Sequence, residues 1–232
     1  SGVVYGVTDK SIADQRSRVN QFLHVNHRPG DPHYGVLLCI NGTGILNAWI
    51  RRNLLPGMSY DQMNEKASQA PAGCDGLHVL PFGNGAERIL ENRFTGASFS
   101  GIDLNRHDTR HFLRAAQEGI AFSFRYGMDI MKQMGIVPTV IRAGKANMFL
   151  SPVFRATIAT LANASIELYN TDGSLGAARG AALGAGLYQS REACFSGLEL
   201  LQTEKPQPLW KERLEEAYGH WKEQLDKQLS NI

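Results

Sequence analysis

Apolar and polar positions alternate in three short runs at the start of the chain, Val3 to Val7, Gln21 to His27 and Tyr34 to Ile40. Each is rich in Val, Leu or aromatics, the composition and two-residue period of strands. The cluster Arg28-Pro29-Gly30-Asp31-Pro32 separates the last two with dense turn chemistry. Three strands with short connections predict an antiparallel meander. The period then lengthens. From Gly44 to Asn53 the apolar residues Ile45, Leu46, Trp49 and Ile50 fall at helical spacing. Ser59 with Gln62 three residues on forms a capping box, predicting a helix from there towards Ala70. Leu77 to Phe82 and Ala97 to Ile102 read as strands.

The longest helix is expected over His107 to Met134, where Phe112, Ala116, Ile120, Ser123, Gly127, Met131 and Met134 keep three-or-four spacing. Gly135 and Pro138 stop it. A strand at Thr139 to Ile141, a helix from Phe149 to Ala162, a strand at Ser165 to Tyr169 and a helix from Ser174 to Tyr188 follow. That alternation predicts α/β layering with parallel strands. The tail from Pro208 to Leu229 is a polar amphipathic helix with Trp210, Leu214, Ala217, Trp221 and Leu225 on one face. Residues 1–200 are expected to form one domain, with residues 201–232 a helix docked on it.

Composition narrows the function. Of 232 residues, 43% are hydrophobic and 20% charged, enough to build a core, which excludes a disordered chain. The formal net charge of +2 leaves no global reason to expect nucleic acid or an acidic membrane surface as partner. No apolar run approaches the ~20 residues of a membrane helix. Cys39, Cys74 and Cys194 are widely spaced and odd in number, which predicts reduced thiols and a cytoplasmic protein. The opening Ser1-Gly2-Val3-Val4 reads as a strand already under way, so the natural polypeptide is expected to begin earlier.

Three segments could carry chemistry. Arg142-Ala143-Gly144-Lys145-Ala146-Asn147 joins a predicted strand to a predicted helix. Small residues there would let a ligand approach the main chain, and a helix N-terminus favours anions. Lys145 could add a positive charge and Asn147 an amide for a base edge. The spacing is not that of a Walker A loop. In Thr171-Asp172-Gly173, followed by a Gly/Ala-rich run, Gly176, Gly180 and Gly184 recur every four residues. Interior glycines cost helices ~1 kcal/mol each, so the stripe predicts close approach of another backbone or of a ligand, helix packing being the preferred reading, with Asp172 as a cap or turn residue. Ile40-Asn41-Gly42-Thr43-Gly44 also joins strand to helix, and is expected to face the first loop. Elsewhere, His107 and His111 are expected on a solvated helix face, and Glu87 with Arg88 in a loop salt bridge or cap.

In their order along the chain, these segments resemble the FGGY carbohydrate kinases from Ser1 to about Tyr188. Ser1-Gly2-Val3 looks like the end of that family's Gly-Thr-Ser-Gly hairpin, and Leu80-Pro81-Phe82 through Glu87-Arg88 is similar to its Leu-Pro-Tyr…Gly-Glu-Arg stretch. Ala97 to Ile102 with His111 to Ala116 looks like its C-terminal signature, although Gln117 stands before Glu118 where an apolar residue is usual. Arg142 to Asn147 sits where the family has a Gly-Gly-Gly adenosine loop, keeping only Gly144. Thr171-Asp172-Gly173 with its Gly/Ala helix is most similar to the xylulokinases of the family.

The resemblance implies a ribonuclease-H-like, actin-like ATPase fold, a mixed sheet with flanking helices. It implies ATP and Mg²⁺ as cofactors and transfer of the γ-phosphoryl to a sugar hydroxyl, D-xylulose giving the 5-phosphate. Another pentulose or polyol, or a non-catalytic actin-like nucleotide-binding module, are the alternatives. The sugar would be held by an N-terminal domain absent from this chain, and the family's aspartate base would precede Ser1. No catalytic residue and no metal ligand is therefore assigned here, the isolated half is expected to be inactive, and a homodimer is compatible. Carried over residue by residue, nucleotide contacts are expected from Ala143, Gly144, Lys145 and Asn147, with Gly44 facing them and Ser1 and Gly2 near the phosphates.

Overall fold

The computed structural model describes residues 2–231. Its first layer is a three-stranded antiparallel sheet of β1 (Gly2–Thr8), β2 (Asn20–Leu23) and β3 (Tyr34–Ile40). The strand order is β1-β3-β2, which corrects the expected meander. Strand β3 takes the middle because it is the apolar one, with Val36, Leu38 and Ile40 fully buried. The short β2, two of whose four residues are exposed, suits an edge.

Helix α1 (Gly44–Asn53) follows β3, and α2 (Tyr60–Ser68) starts on the predicted capping box, with Gln62 N–H donating to Ser59 Oγ at 3.2 Å. Next come β4 (His78–Phe82) and β5 (Gly96–Ser100), paired antiparallel. Helix α3 (Thr109–Gln133) runs through the middle of the molecule, packed on β4, α2 and α4. Strand β6 (Val140–Gly144) leads to a 3₁₀ turn at Asn147–Leu150 and then to α4 (Pro152–Ala162). Strand β7 (Ser165–Tyr169) lies parallel to β6, as the strand–helix alternation predicts. Helices α5 (Gly173–Gly184) and α6 (Arg191–Phe195) precede β8 (Leu200–Glu204), which pairs antiparallel to β7. The chain ends on α7 (Pro208–Leu229).

Close backbone approach sets the core. All five residues of β4 are buried, and α3 crosses it at Gly119, where a Cβ would lie 2.1 Å from the Val79 carbonyl oxygen. Helix α7 buries Leu214, Ala217, Tyr218, Trp221 and Leu225 against β4 and α4, and Trp221 Nε1 donates to Val79 O at 2.9 Å. Each such large side chain contributes about 1.5–3 kcal/mol from burial alone.

Several buried polar groups of α3 are paired. Arg114 Nε meets Glu118 Oε1 at 2.7 Å with both side chains 2% exposed. Glu118 also accepts from Gly73 N–H at 3.1 Å. It thereby holds the turn Gly73–Gly76, in which four successive residues have positive φ, the non-glycines Cys74 and Asp75 included. Burial pushes the Glu118 carboxyl up, and Arg114 opposes that. Gln117, polar where the resembled family has an apolar residue, is satisfied as well: it accepts from Ser151 Oγ at 2.7 Å and donates to Asn64 Oδ1 at 2.9 Å.

Three expectations fail here. Helix α5 has no buried residue, and nothing lies within 4 Å of an ideal Cβ at Gly176, Gly180 or Gly184, so the glycine stripe is not a packing seam. His107 precedes α3 rather than lying on it, and accepts from Asp103 N–H at 3.0 Å. His111 is buried as the N3 member of a capping box with Asp108, not solvated. Glu87 pairs with no arginine; it is fully buried and serves the loop described next.

Candidate functional site

The loop from β3 to α1 is built on Glu87. Its carboxylate accepts from Asn41 N–H at 2.8 Å and Gly42 N–H at 2.6 Å, and Asn41 Nδ2 donates to Ala86 O at 2.7 Å. Burial raises the Glu87 pKa above the ordinary glutamate range, and these two N–H groups pull it back. Gly42 is obligatory, since a Cβ there would sit 2.0 Å from Pro81 O. The loop delivers Thr43 as N-cap of α1, but no side chain caps that helix. The first N–H groups of a helix are left without intrahelical partners and carry its positive dipole end. One turn on, Asn47 is buried and its Oδ1 has no partner.

These groups border a cleft of about 680 Å³, shared with α2, α3 and the 3₁₀ turn. Gly2, Thr43, Gly44, Asn47, Asp61 and Asn147 line it, over an apolar floor that includes Phe124 and Phe154. Gly44 is open to this space, where an added Cβ would meet only Met148 Cγ at 3.7 Å. Gly2 is not open: a Cβ there would lie 2.5 Å from Phe124 Cζ. Ser1 lies outside the described residues.

The β6–α4 loop differs from its expected form. Asn147, at φ +53°, opens a 3₁₀ turn, so the loop does not run straight into a helix. The N-terminus of α4 is closed by Ser151, whose Oγ accepts from Phe154 N–H at 3.2 Å, so it offers no anion site beside Gly144. Gly144 is packed rather than open, because a Cβ there would come 2.2 Å from Thr171 O. Its smallness lets the Thr171–Asp172 backbone approach. Asp172 caps α5 through Leu175 N–H at 2.8 Å. Arg142 pairs across the parallel strands with Glu167 at 3.0 Å, and the Tyr169 hydroxyl donates to the same carboxylate at 2.8 Å. Lys145 is exposed and borders neither this cleft nor the neighbouring groove.

Of the expected contacts, then, Gly2, Gly44 and Asn147 border one cleft, while Ala143, Gly144 and Asn147 border an adjoining groove. Asn147 joins the two. Sequence reasoning missed Thr43, Asn47 and Glu87. The signal for Glu87 was a carboxylate two residues after Gly85 in a stretch that resembles the family's, which does not reveal a partner 46 residues away. Among the described residues no group of three His, Cys, Asp or Glu side chains could hold a metal ion. The three cysteines are free, and among the described residues no helix is long and apolar enough to cross a membrane.

Comparison with known proteins adds an independent line. The model of the C-terminal domain of the FGGY family of carbohydrate kinases matches residues 1–187. The xylulose kinase of Bacillus subtilis is 30% identical over 204 residues, which cover 84% of this chain and 38% of that protein. The ligand-bound crystal structure of xylulose kinase from Lactobacillus acidophilus superimposes with a TM-score of 0.81 at 22% identity, covering 97% of this chain and 45% of that one. Gluconate kinase from the same organism gives the same TM-score at 21% identity, covering 98% of this chain and 45% of that chain. The chain thus spans less than half the length of the proteins it matches.

Proposed function

Because the chain belongs to the FGGY family of carbohydrate kinases, we propose that it is the nucleotide-binding part of an ATP-dependent sugar kinase, with D-xylulose as substrate and its 5-phosphate as product. We read its fold, accordingly, as ribonuclease-H-like and actin-like. The observation that carries the nucleotide reading is the start of α1: an uncapped helix N-terminus beside Gly44, with the buried, unpartnered Asn47 Oδ1, on a cleft of about 680 Å³. An anion satisfies the free N–H groups, and a hydroxyl or amino donor satisfies Asn47. A nucleoside triphosphate offers both. The apolar floor suits its base, and Asn147 stands at the rim.

Bound MgATP supplies the transferable phosphoryl group and a cation that neutralises its charge. Mg²⁺ draws many of its ligands from phosphates and water, so it asks little of this chain, where Asp61 is the carboxylate on the cleft. The task of these residues is to orient: the loop that Glu87 fastens presents the first backbone N–H groups of α1 to the anion without reorganising. The sugar, and the base that takes its proton, belong to the part of the protein beyond this chain. Xylulose is preferred because relatives named xylulose kinase match in sequence. The fold does not choose, since gluconate kinase superimposes equally well.

Calorimetric titration of MgATP into this chain tests the site. Binding is expected, weakened roughly tenfold in Asn47→Ala by loss of one buried hydrogen bond. Absence of binding, or an unchanged affinity in the variant, would overturn the assignment. Initial rates of the complete polypeptide on xylulose, ribulose, gluconate and glycerol test the substrate, and no turnover of xylulose would refute it.

A further inference from the structure

Gln117 stands where the family usually has an apolar residue, and nothing in the nucleotide reading uses it. Its side chain is 0% exposed, in the middle of α3. A buried carboxamide costs stability unless its donors and acceptor are met, so the direction in which each end points carries information.

At one end lies Ser151. Its hydroxyl accepts from Phe154 N–H at 3.2 Å and gives its single proton to Gln117 Oε1 at 2.7 Å. The reverse setting of the amide would bring two donors to the Ser151 oxygen. It would also strand the hydroxyl proton of a residue only 2% exposed. A backbone N–H thus sets the polarity of the chain of bonds. At the other end, Gln117 Nε2 donates to Asn64 Oδ1 at 2.9 Å. Asn64 is a half-buried residue of α2 on the wall of the cleft of about 680 Å³. With its oxygen held from behind, its carboxamide has the NH₂ to offer to that space. An asparagine side chain is otherwise free to present either end.

A fixed donor selects what can sit beside it. Mg²⁺ takes oxygen ligands, so an NH₂ is no ligand for it. The phosphates belong, on the nucleotide reading, to the start of α1. The chain of bonds leads instead to the apolar part of the cleft: Ser151 lies between Phe149 and Phe154, whose ring centres are 5.4 Å apart and which both border it. Aromatic surfaces of this kind suit a base, and a purine carries ring nitrogens that accept hydrogen bonds.

We propose that Gln117 is a positioning residue: with Ser151 it turns the Asn64 NH₂ into the cleft, where that group donates to a ring nitrogen of the nucleotide's base. Gln117 does not itself border the cleft; it acts by keeping the Asn64 oxygen out of it. This deepens the nucleotide reading and rests on it.

Calorimetry with Mg²⁺ present compares ATP with its 1-deaza, 3-deaza and 7-deaza analogues, each of which replaces one ring nitrogen by C–H. In the parent, one analogue is expected to bind roughly tenfold more weakly than ATP, the worth of one buried hydrogen bond. In Gln117→Leu the Asn64 amide is released, and that ratio should fall towards one while the circular dichroism spectrum is unchanged. A role in packing alone would weaken ATP and all three analogues by the same factor and leave the ratio intact, which overturns the proposal. So does a parent that binds all three analogues as tightly as ATP, an outcome that leaves the nucleotide reading standing. No binding of any of the four overturns both. 2′-Deoxy-ATP is titrated alongside, and a loss dependent on Gln117 but confined to it would move the partner to the ribose and overturn the assignment to the base. Should Gln117→Leu not fold, Asn64→Asp leaves the core of α3 untouched and puts a carboxylate oxygen where the NH₂ was. Loss of the ratio in that variant supports the proposal, and its survival overturns it.

Discussion

The two loops that meet at the candidate site look alike in sequence and are built differently. Asn41-Gly42-Thr43-Gly44 and Arg142-Ala143-Gly144-Lys145 each follow a strand and hold small residues. The first is fastened from beneath by the buried Glu87 carboxylate and by Gly42 against Pro81, and its last glycine is left open on the cleft. In the second the glycine itself is the fastening, pressed on Thr171, and the helix beyond it is already capped. A glycine is therefore open to the cleft in one loop and packed in the other, and only the neighbours across the fold distinguish them.

Substitution of the three glycines separates these roles, and the largest effect belongs to the first loop. Gly42→Ala sets a Cβ 2.0 Å from the backbone oxygen of Pro81 in a buried turn. Overpacking of this kind costs about 3 kcal/mol or more where neither backbone can give way, and urea denaturation should show the loss as a lower midpoint. Next is Glu87→Gln, which leaves one of two buried N–H groups facing an amide NH₂, a loss of about 1–3 kcal/mol.

That variant also carries a pH signature. The folded-state pKa of Glu87 is raised by burial, so its contribution to stability is fullest below the ordinary glutamate range and is lost as pH rises through the raised value. The stability gap between the parent and Glu87→Gln should narrow across that window and be flat above it. Denaturation midpoints on either side of the window check the sign. A gap that widens with pH would show that the two N–H bonds, not burial, dominate the carboxylate. Third in size is Gly144→Ala, about 1–2 kcal/mol, because Thr171 sits on a half-exposed loop that can shift where Pro81 cannot.

Much of the fold was legible for local reasons. Helix α1 over Gly44–Asn53, strand β7 over Ser165–Tyr169 and helix α7 over Pro208–Leu229 have the predicted bounds, since period, caps and breakers act within a few residues. What pattern does not carry is partner choice. The position of β3 between β1 and β2 depends on which strand is buried deepest, and β8 with its exposed Leu200 and Leu201 lacks the alternation that marks a strand. The Gly/Ala run of α5 implied a tight neighbour, and none is near it. At the site, residue types near a turn were readable, whereas Asn47 looked like an ordinary helix residue until its burial left Oδ1 without a partner.

The smallest effect on stability is the most informative about function. In Gly44→Ala the new Cβ finds only Met148 Cγ at 3.7 Å, an ordinary contact, and alanine is the better helix former by up to ~1 kcal/mol. The denaturation midpoint should hold or rise slightly. The methyl group would nevertheless stand on the cleft, beside the uncapped N–H groups of α1 that the nucleotide reading uses. MgATP affinity should fall by roughly tenfold, about 1.4 kcal/mol, in a protein no less stable than its parent. Gly144→Ala should do the reverse, losing stability while titrating with nearly parental affinity once the folded fraction is accounted for. If instead Gly144→Ala abolishes binding and Gly44→Ala leaves it untouched, the nucleotide lies on the β6 side and the assignment of the two loops is inverted.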